Sequence, residues 1–214
     1  REFRRFVHPR DLLAEDEDVV ADGDNVKLSS GHPSVIFRHV SRNDDTRTII
    51  STILPEREYV YCKGYVHSID HSKEVGKVEL MALVAYLNSF ACDWWARRIV
   101  DRHVSSPVIN NLPIPAWNDE QKERAAGLAA ELIQRGGVEV LPGGEPIPEQ
   151  KSFSDLAEGD VRARIEGLVA EGLGLNEDLY TTILDDFSRN ACSDKLASKI
   201  EKSVSSPSTE VSGK

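Results

Sequence analysis

The segment Leu80–Trp117 constrains the fold more than any other part of the chain. It begins with an apolar stripe at helical spacing and reaches a run of arginines. A loop rich in Ser and Asn follows, and the segment ends in Leu-Pro-Ile-Pro ahead of a second helix. Apolar side chains that repeat every three or four residues predict one long helix from Val78 to about Val100, with Trp94 and Trp95 on its buried face. The prolines predict a stiff connection after it.

Short β-type runs precede this helix. They are rich in Val, Ile, Thr and Tyr and cover Val35–Val40, Thr48–Leu54 and Tyr59–Ile69. Turn residues at Asn43–Asp45 and Pro55–Glu58 separate them, which predicts neighbouring antiparallel strands. The predicted fold class is therefore α+β, with a small, mostly antiparallel β-sheet, a long helix packed on it, and further helices at the C-terminal end.

Helix signals dominate the second half of the chain. Asn118, with Gln121 at the capping-box position, predicts a helix to about Gln134. Two more helices are expected, one with an apolar face over Val161–Val169 and one capped by Asn176. The final 27 residues contain eight serines, which favours a disordered tail with at most one short helix from Ser193.

These patterns divide the 214 residues into four parts. Residues 1–30 form an acidic connector, and 31–117 form the α/β core. Residues 118–187 form a helical region with a Pro/Gly-rich linker at 136–152, and 188–214 form the Ser-rich tail. Because the chain starts at Arg1 without a methionine, we expect a region of the parent protein to precede the connector. The length is sufficient for one core, or a core with a small satellite.

The net charge of −10 is distributed unevenly. Residues 31–117 carry ten Lys and Arg against nine Asp and Glu, whereas residues 118–214 carry eleven against nineteen. Five of the six histidines also lie in or next to the predicted sheet and long helix. The acidity therefore belongs mostly to the C-terminal helices, and a nucleic-acid partner for the middle part is compatible with the total charge.

Several classes of function receive little support from the residues. Three cysteines without short paired spacing favour reduced thiols in a cytoplasmic protein, and neither a signal peptide nor a membrane-length apolar run is visible. Cys62, His67 and His71 have a spacing faintly like that of a zinc site. On one strand, however, Cys62 and His67 would point to opposite faces, so no metal is expected. No complete catalytic constellation can be assembled, which leaves a self-contained hydrolase as the weakest hypothesis.

What remains is a polar, partly basic set suited to recognition. Its members surround the first turn of the sheet, the end of the long helix and the loop that follows. The candidates for DNA contact are Arg38, Arg42, Asn43, Arg47, Arg98, His103, Asn110 and Asn111. Arginine can bind phosphate or guanine through two nitrogens, and asparagine can pair with adenine in the same way. Alternatively, arginines near a helix end complement the helix dipole and cover apolar surface.

Three blocks, in order, resemble the C-terminal part of large N6-adenine DNA methyltransferases of restriction or phage-defence systems, the fused type IIG-like kind. The first block reads Val-Ile-Phe-Arg-His-Val-Ser-Arg from Val35, followed by Asp-Thr-Arg-Thr and Ile-Leu-Pro. The second reads Leu-Asn-Ser-Phe from Leu87, then Asp-Trp, Arg-Arg and Asn-Asn-Leu-Pro-Ile-Pro. The third is the helix pair between Val161 and Phe187. Together they span about 150 of the 214 residues. The chain departs from the family pattern at His39 and at Ser105–Pro107.

The resemblance implies a target-recognition domain, in which a small curved sheet with packed helices presents strand and loop residues to a DNA groove. The family's catalytic tetrapeptide and its glycine motif for S-adenosylmethionine are not in this chain, so both are expected in an upstream methyltransferase domain. The implied partners are double-stranded DNA and that upstream domain. The chain alone is expected neither to methylate DNA nor to bind the cofactor; the parent would be a site-specific adenine methyltransferase, with or without endonuclease activity.

Two hypotheses of different kinds follow. In the first, the chain recognises a DNA sequence for a restriction–modification or phage-exclusion methyltransferase. In the second, it is a helical scaffold module whose acidic C-terminal helices dock a methyltransferase or another defence subunit. DNA affinity separates the two.

Overall fold

The computed structural model describes residues 20–21, 26–28, 34–54, 60–62, 66–69, 75–135 and 159–206. The linker at 136–152, most of the connector at 1–30 and the end of the tail lie outside the described residues, and so does His71. Within the connector, two short strands are described.

Six short strands form two antiparallel sheets. In chain order they are β1 (Val20–Ala21), β2 (Val26–Leu28), β3 (Ser34–Arg38), β4 (Ser51–Leu54), β5 (Val60–Cys62) and β6 (Val66–Ser68). The first sheet has the order β1-β2-β5 and the second β4-β3-β6. The predicted antiparallel pairing of the first two runs is confirmed, with Val35 opposite Ile53. The third run was expected to be one strand, but it divides into β5 and β6, which belong to different sheets.

The prediction of one long helix is wrong. Two helices occupy this stretch, α1 (Lys77–Leu87) and α2 (Phe90–Ile99). Asn88 caps the C-terminus of α1. Ser89 caps α2 with an extended backbone, and its Oγ accepts a hydrogen bond from the backbone N–H of Cys92 at 3.1 Å. Asn and Ser are residues that cap helices well, because their side chains replace missing backbone partners.

Five more helices are described: α3 (Ser106–Asn110), α4 (Asp119–Arg135), α5 (Asp160–Leu173), α6 (Glu177–Asp185) and α7 (Asp194–Ser205). The predicted capping box of α4 is confirmed by reciprocal bonds of 2.9 and 3.0 Å between Asn118 and Gln121. Asn176 caps α6 as predicted, accepting from Leu179 N–H at 3.0 Å. Ser193 caps α7 within the Ser-rich region, and Leu196 and Ile200 of that helix are buried. The α+β fold class is thus present.

Helix α1 packs on the β4-β3-β6 sheet, and the other helices pack mainly on one another. Helix α1 contacts β3, β4 and, most extensively, α4; α5 lies against α4 and α7. Trp95, expected in the core, is 42% exposed, and Ile99 one turn later is 47% exposed. In α2 the buried side chains are those of Phe90, Ala91, Cys92, Asp93 and Ala96, so the predicted stripe stays buried at Phe90 and Ala91 but not at Trp95.

The Leu-Pro-Ile-Pro segment is fastened to α5. Gly172 accepts a backbone bond from Ala116 at 2.8 Å, and the indole N–H of Trp117 donates to the carbonyl of Leu168 at 2.8 Å. A Cβ at Gly172 would lie 2.5 Å from Trp117 Nε1, so only glycine permits this approach. The end of the second motif block therefore meets the third block in space, through contacts such as that of Trp117 with Leu168, which are 51 positions apart.

Candidate nucleic-acid interface

The turn after β3 is closed by its own residues. The guanidinium of Arg38 donates to Ser41 Oγ at 2.7 Å, to Asp45 Oδ2 at 3.3 Å and to the carbonyl of Arg47. Ser41 in turn donates to Asp45 at 3.1 Å. Arg38, predicted as a DNA contact, is therefore placed where it ties the two ends of the turn together.

Arg47 reaches into the molecule rather than outward. Its Nε lies 2.5 Å from Asp93 Oδ2, and its Nη2 donates to the carbonyls of Asn88 and Ser89 at 2.7 and 3.0 Å. Asp93 is fully buried and also accepts the backbone N–H of Thr48 at 3.0 Å. These bonds fasten the turn after β3 to the break between α1 and α2. Arg47 is thus committed to internal acceptors.

A second buried ion pair supports the same break from α5. Glu166 is fully buried, pairs with Arg162 Nε at 3.0 Å and accepts the first backbone N–H of α2, that of Phe90, at 3.0 Å. Tyr180 donates its hydroxyl to the same carboxylate. Burial and the neighbouring Glu166 raise the pKa of Tyr180 well above its ordinary value, so the phenol remains a donor at neutral pH.

Asn88 joins the break to the edge of the sheet. Its side-chain oxygen accepts Ser51 N–H at 3.0 Å, and its amide nitrogen donates to the Ser51 carbonyl at 2.9 Å. The Leu-Asn-Ser-Phe and Asp-Trp motifs therefore form the break between α1 and α2. The Thr-Arg-Thr motif contributes Arg47, whose guanidinium bonds to this break. Of these residues, Arg47 was expected to contact DNA, and its described bonds lie within the protein.

Arg98 also has partners within the protein. Its guanidinium carbon lies 3.1 Å from the centre of the Trp94 ring, and Nη2 lies 2.9 Å from Asp186 Oδ2. The hydrogen bonds from Arg98 and Trp94 lower the pKa of Asp186, which keeps this carboxylate charged at neutral pH. Arg98 therefore links α2 to the end of α6.

Two segments distant in sequence form a short antiparallel ribbon beyond the sheet. Val40 is bridged to His103, Ser41 N–H donates to the Arg102 carbonyl at 3.2 Å, and Val104 N–H donates to the His39 carbonyl at 2.8 Å. The ribbon places the turn after β3 beside the loop after α2. Four of its polar side chains are exposed, and we call them the recognition edge: Arg42, Asn43, Arg102 and His103.

Three histidines stack across this ribbon. The rings of His39 and His67 lie 3.8 Å apart at 12°, and those of His39 and His103 lie 4.7 Å apart at 19°. The stack joins β6, the end of β3 and the ribbon. The buried Nδ1 of His39 makes no hydrogen bond to a described residue. Sequence reasoning identified the enrichment in histidine but not the stack, because the three residues are up to 64 positions apart.

The remaining candidates lie on α3. Asn110 and Asn111 are both exposed, and Asn111 donates its side chain to the carbonyl of Pro107 at 2.7 Å, which closes the short helix. The structure thus brings together three of the eight predicted residues, Arg42, Asn43 and His103. Arg102 completes the edge; it belongs to the same arginine cluster but was not among the eight.

Within the part of the chain that the structure describes, no three His, Cys, Asp or Glu side chains are grouped so that they could hold a metal ion. The two fully buried carboxylates, Asp93 and Glu166, both serve arginines and backbone amides. No helix among these residues combines the length and the apolar character that crossing a bilayer requires. The recognition edge offers hydrogen-bond donors, with the exposed carboxylates of Asp44 and Asp101 close to its two arginines in sequence.

Comparisons with models of protein families, with curated proteins and with solved structures find no match to this chain.

Proposed function

We propose that this chain recognises DNA sequence for an adenine methyltransferase of a restriction–modification or phage-exclusion system. The observation that carries the proposal is the recognition edge, where two arginines, an asparagine and a histidine are exposed side by side on a ribbon held by buried ion pairs. Arginine is suited to phosphate and guanine, and asparagine is suited to adenine. The order of the three motif blocks supports the choice of family.

In this proposal the edge has two tasks. Arg42 and Arg102 bind phosphates or guanine, and Asn43 and His103 contact base edges. The rigid backing matters because base readout depends on donor positions within a fraction of an ångström. Arg38, Arg47 and Arg98 leave the set of contact residues, since their guanidiniums already serve acceptors within the protein. Asn110 and Asn111 remain secondary candidates.

The chemistry of methylation belongs to another domain of the parent protein in this proposal. S-adenosylmethionine would bind to that upstream domain, which is also the protein partner of this chain. The cytoplasm, where bacterial DNA lies, is the proposed compartment.

The test is binding of the chain to a pool of fluorescent DNA duplexes with randomised sequence. Fluorescence anisotropy measures the affinity over a range of KCl concentrations. The double variant Arg42→Ala/Arg102→Ala should bind about tenfold more weakly and reduce the slope of log affinity against log salt by about two, one for each lost phosphate contact. The matched control is Arg164→Ala, because Arg164 is an exposed arginine on α5, remote in sequence from the edge.

Selection from the same pool then identifies a target sequence, and Asn43→Ala should relax selectivity at one position without changing the salt slope. Equal losses of DNA affinity in the Arg42→Ala/Arg102→Ala variant and the Arg164→Ala control would refute the assignment of DNA contact to the recognition edge. A wild-type chain that binds no duplex at low salt would refute the function.

A scaffold role is the second candidate, and one observation favours it. Trp95 and Ile99 are exposed on the same face of α2, four residues apart, and aromatic residues are enriched at protein interfaces. Co-purification with the upstream domain of the parent tests this role. If the scaffold role holds, the double variant Trp95→Ala/Ile99→Ala abolishes the association with the upstream domain. Neither the wild-type chain nor this variant then binds DNA.

A further inference from the structure

The three stacked rings of His39, His67 and His103, which we call the histidine stack, link the core to the recognition edge. His67 on β6 contacts the buried Phe37 edge-on, with ring centres 6.0 Å apart, whereas His103 belongs to the exposed edge. His39 is the member that stacks with both of the others, at 3.8 and 4.7 Å. The position of its ring therefore depends on contacts with the core and with the edge at once.

The backbone of His39 also holds the ribbon together. Its carbonyl accepts the N–H of Val104 at 2.8 Å, and two residues later the N–H of Ser41 donates to the carbonyl of Arg102 at 3.2 Å. These two bonds keep the turn after β3 beside the loop after α2. A movement of the His39 ring out of the stack would therefore act directly on the backbone that carries the recognition edge.

One nitrogen of the His39 ring has no hydrogen-bond partner among the described residues. This nitrogen, Nδ1, is buried. A neutral imidazole can leave it without a proton, but an imidazolium carries a proton on both nitrogens. A buried donor that belongs to a charged group and lacks an acceptor costs far more free energy than a neutral nitrogen left unpaired. The stacked position of His39 therefore favours the neutral ring.

The charged groups around the stack do not offset this cost. Besides Arg47, which pairs with Asp93, the strand end, the turn and the loop contribute three arginines and three aspartates, and β6 contributes none. They are Arg38, Arg42, Arg102, Asp44, Asp45 and Asp101. Asp45 already accepts bonds from Arg38 and Ser41, and Asp44 and Asp101 are exposed. The set has no net charge, and carboxylates screened by solvent stabilise a neighbouring cation only weakly.

We propose that the histidine stack is a pH-sensitive latch on the recognition edge. While His39 is neutral the stack and the ribbon are closed; when acid protonates His39, its ring leaves the stack to reach water and the ribbon opens. The closed ribbon disfavours this proton, whereas the open ribbon accepts it as histidine does in water. Closure is therefore complete above the pH range in which histidine titrates and is lost as the pH falls through that range. Only the consequence, that the two halves of the recognition edge separate and DNA recognition is lost, rests on the proposed function.

Amide hydrogen exchange, measured by NMR on the whole chain at pH 7.5 and pH 5.5, tests the latch without DNA. Each rate is divided into that of an unfolded peptide at the same pH, which removes the intrinsic effect of pH on exchange. The protection of Ser41 and Val104 should fall about tenfold, because an opening coupled to one proton that titrates near pH 6.5 becomes about ten times more favourable over this interval. The amide of Ala116, which donates to Gly172 at 2.8 Å, should keep its protection. Equal protection of Ser41 and Val104 at the two pH values overturns the proposal, whatever the DNA affinity.

A matched pair of variants identifies which ring takes up the proton. His39→Phe and His103→Phe each replace one ring of the stack by a phenyl ring that cannot be protonated. His39→Phe should abolish the loss of protection at pH 5.5, and His103→Phe should retain it, because the buried Nδ1 is then still present. The reverse result, or a loss retained in both variants, would overturn the assignment to His39. Protection of Ala116 at pH 7.5 shows that each variant folds; if one does not, the comparison of the two pH values in the wild-type chain still decides.

Discussion

Replacing Asp93 by Asn tests the role of the buried ion pairs most directly. The substitution preserves size but removes the charge that Arg47 and Arg97 face at 2.5 and 3.5 Å. Asp93 is fully buried, and the two arginine side chains are only 10% and 15% exposed. Water therefore cannot replace the lost carboxylate.

Removing one partner of a buried pair costs about 3–5 kcal/mol, because the remaining charge is left uncompensated. We therefore expect Asp93→Asn to lower the free energy of unfolding by about 4 kcal/mol and the melting temperature by about 10 °C in a chain of this size. Urea titration followed by circular dichroism measures the first quantity, and a thermal scan measures the second.

Asp186→Asn is the matched control. Asp186 also pairs with an arginine, but the side chains of Arg98 and Asp186 are 41% and 51% exposed. Solvent screens such a pair, so its loss should cost less than about 1 kcal/mol. The pKa of Asp186 is lowered, so this small contribution is present at neutral pH and disappears as the pH falls below the range where the carboxylate is ionised.

A double-mutant cycle with Arg47→Met assigns the interaction to the pair. The combined variant should be about 2–3 kcal/mol more stable than the sum of the two single losses predicts, since Arg47 is then no longer left without its carboxylate. The cost of leaving Arg97 without its carboxylate is common to both variants that carry Asp93→Asn, so it cancels in the cycle. Two results would refute the reasoning: a loss for Asp93→Asn no greater than that for Asp186→Asn, or additivity of the two changes within about 0.5 kcal/mol.

The same substitution should have opposite effects at two glycines. Gly172→Ala should destabilise the fold by about 1–3 kcal/mol, since the new methyl would overlap the Pro-Ala-Trp segment packed on α5; Gly127→Ala should stabilise it by about 0.5–1 kcal/mol, since open space surrounds that helical position. Urea titration of the two variants measures both signs, and destabilisation at both would refute the packing argument. In a Cys62→Ser background, Cys92 and Cys192 should resist alkylation at pH 8: burial raises the pKa of both thiols, that of Cys192 to about 11, which lowers its thiolate fraction about 100-fold. Mass spectrometry of iodoacetamide-treated protein measures the alkylation of each thiol, and labelling in urea is the control. Rapid labelling of either thiol in the folded chain would contradict the prediction.

Features set by neighbouring residues were predictable. The capping box at Asn118 and Gln121, the Asn176 cap and the pairing of β3 with β4 all depend on contacts within a few residues or on a simple alternation of side chains. Such local signals survive folding because no tertiary interaction opposes them. The α+β class followed from the same signals.

The break at Asn88 and Ser89 was not predicted, although both residues are good helix caps. The apolar spacing continues across it, and helix signals alone extend the element. Local bonds contribute to the break, from Asn88 to the Val84 carbonyl and from Cys92 N–H to Ser89 Oγ. The tertiary structure adds partners that the sequence does not reveal: Ser51 on β4, Arg47 on the turn after β3, and Arg162 on α5.

The candidate site shows the same division. The sequence by itself determined that arginines and asparagines cluster at one turn and at one helix end. Which arginines pair with carboxylates depended on acceptors far along the chain: Asp93 lies 46 positions from Arg47, and Asp186 lies 88 positions from Arg98. Arg42 and Arg102 have the same chemistry but remain at the surface. The distinction rests on long-range ion pairs, whose partners sequence spacing does not reveal and only the packed fold brings together.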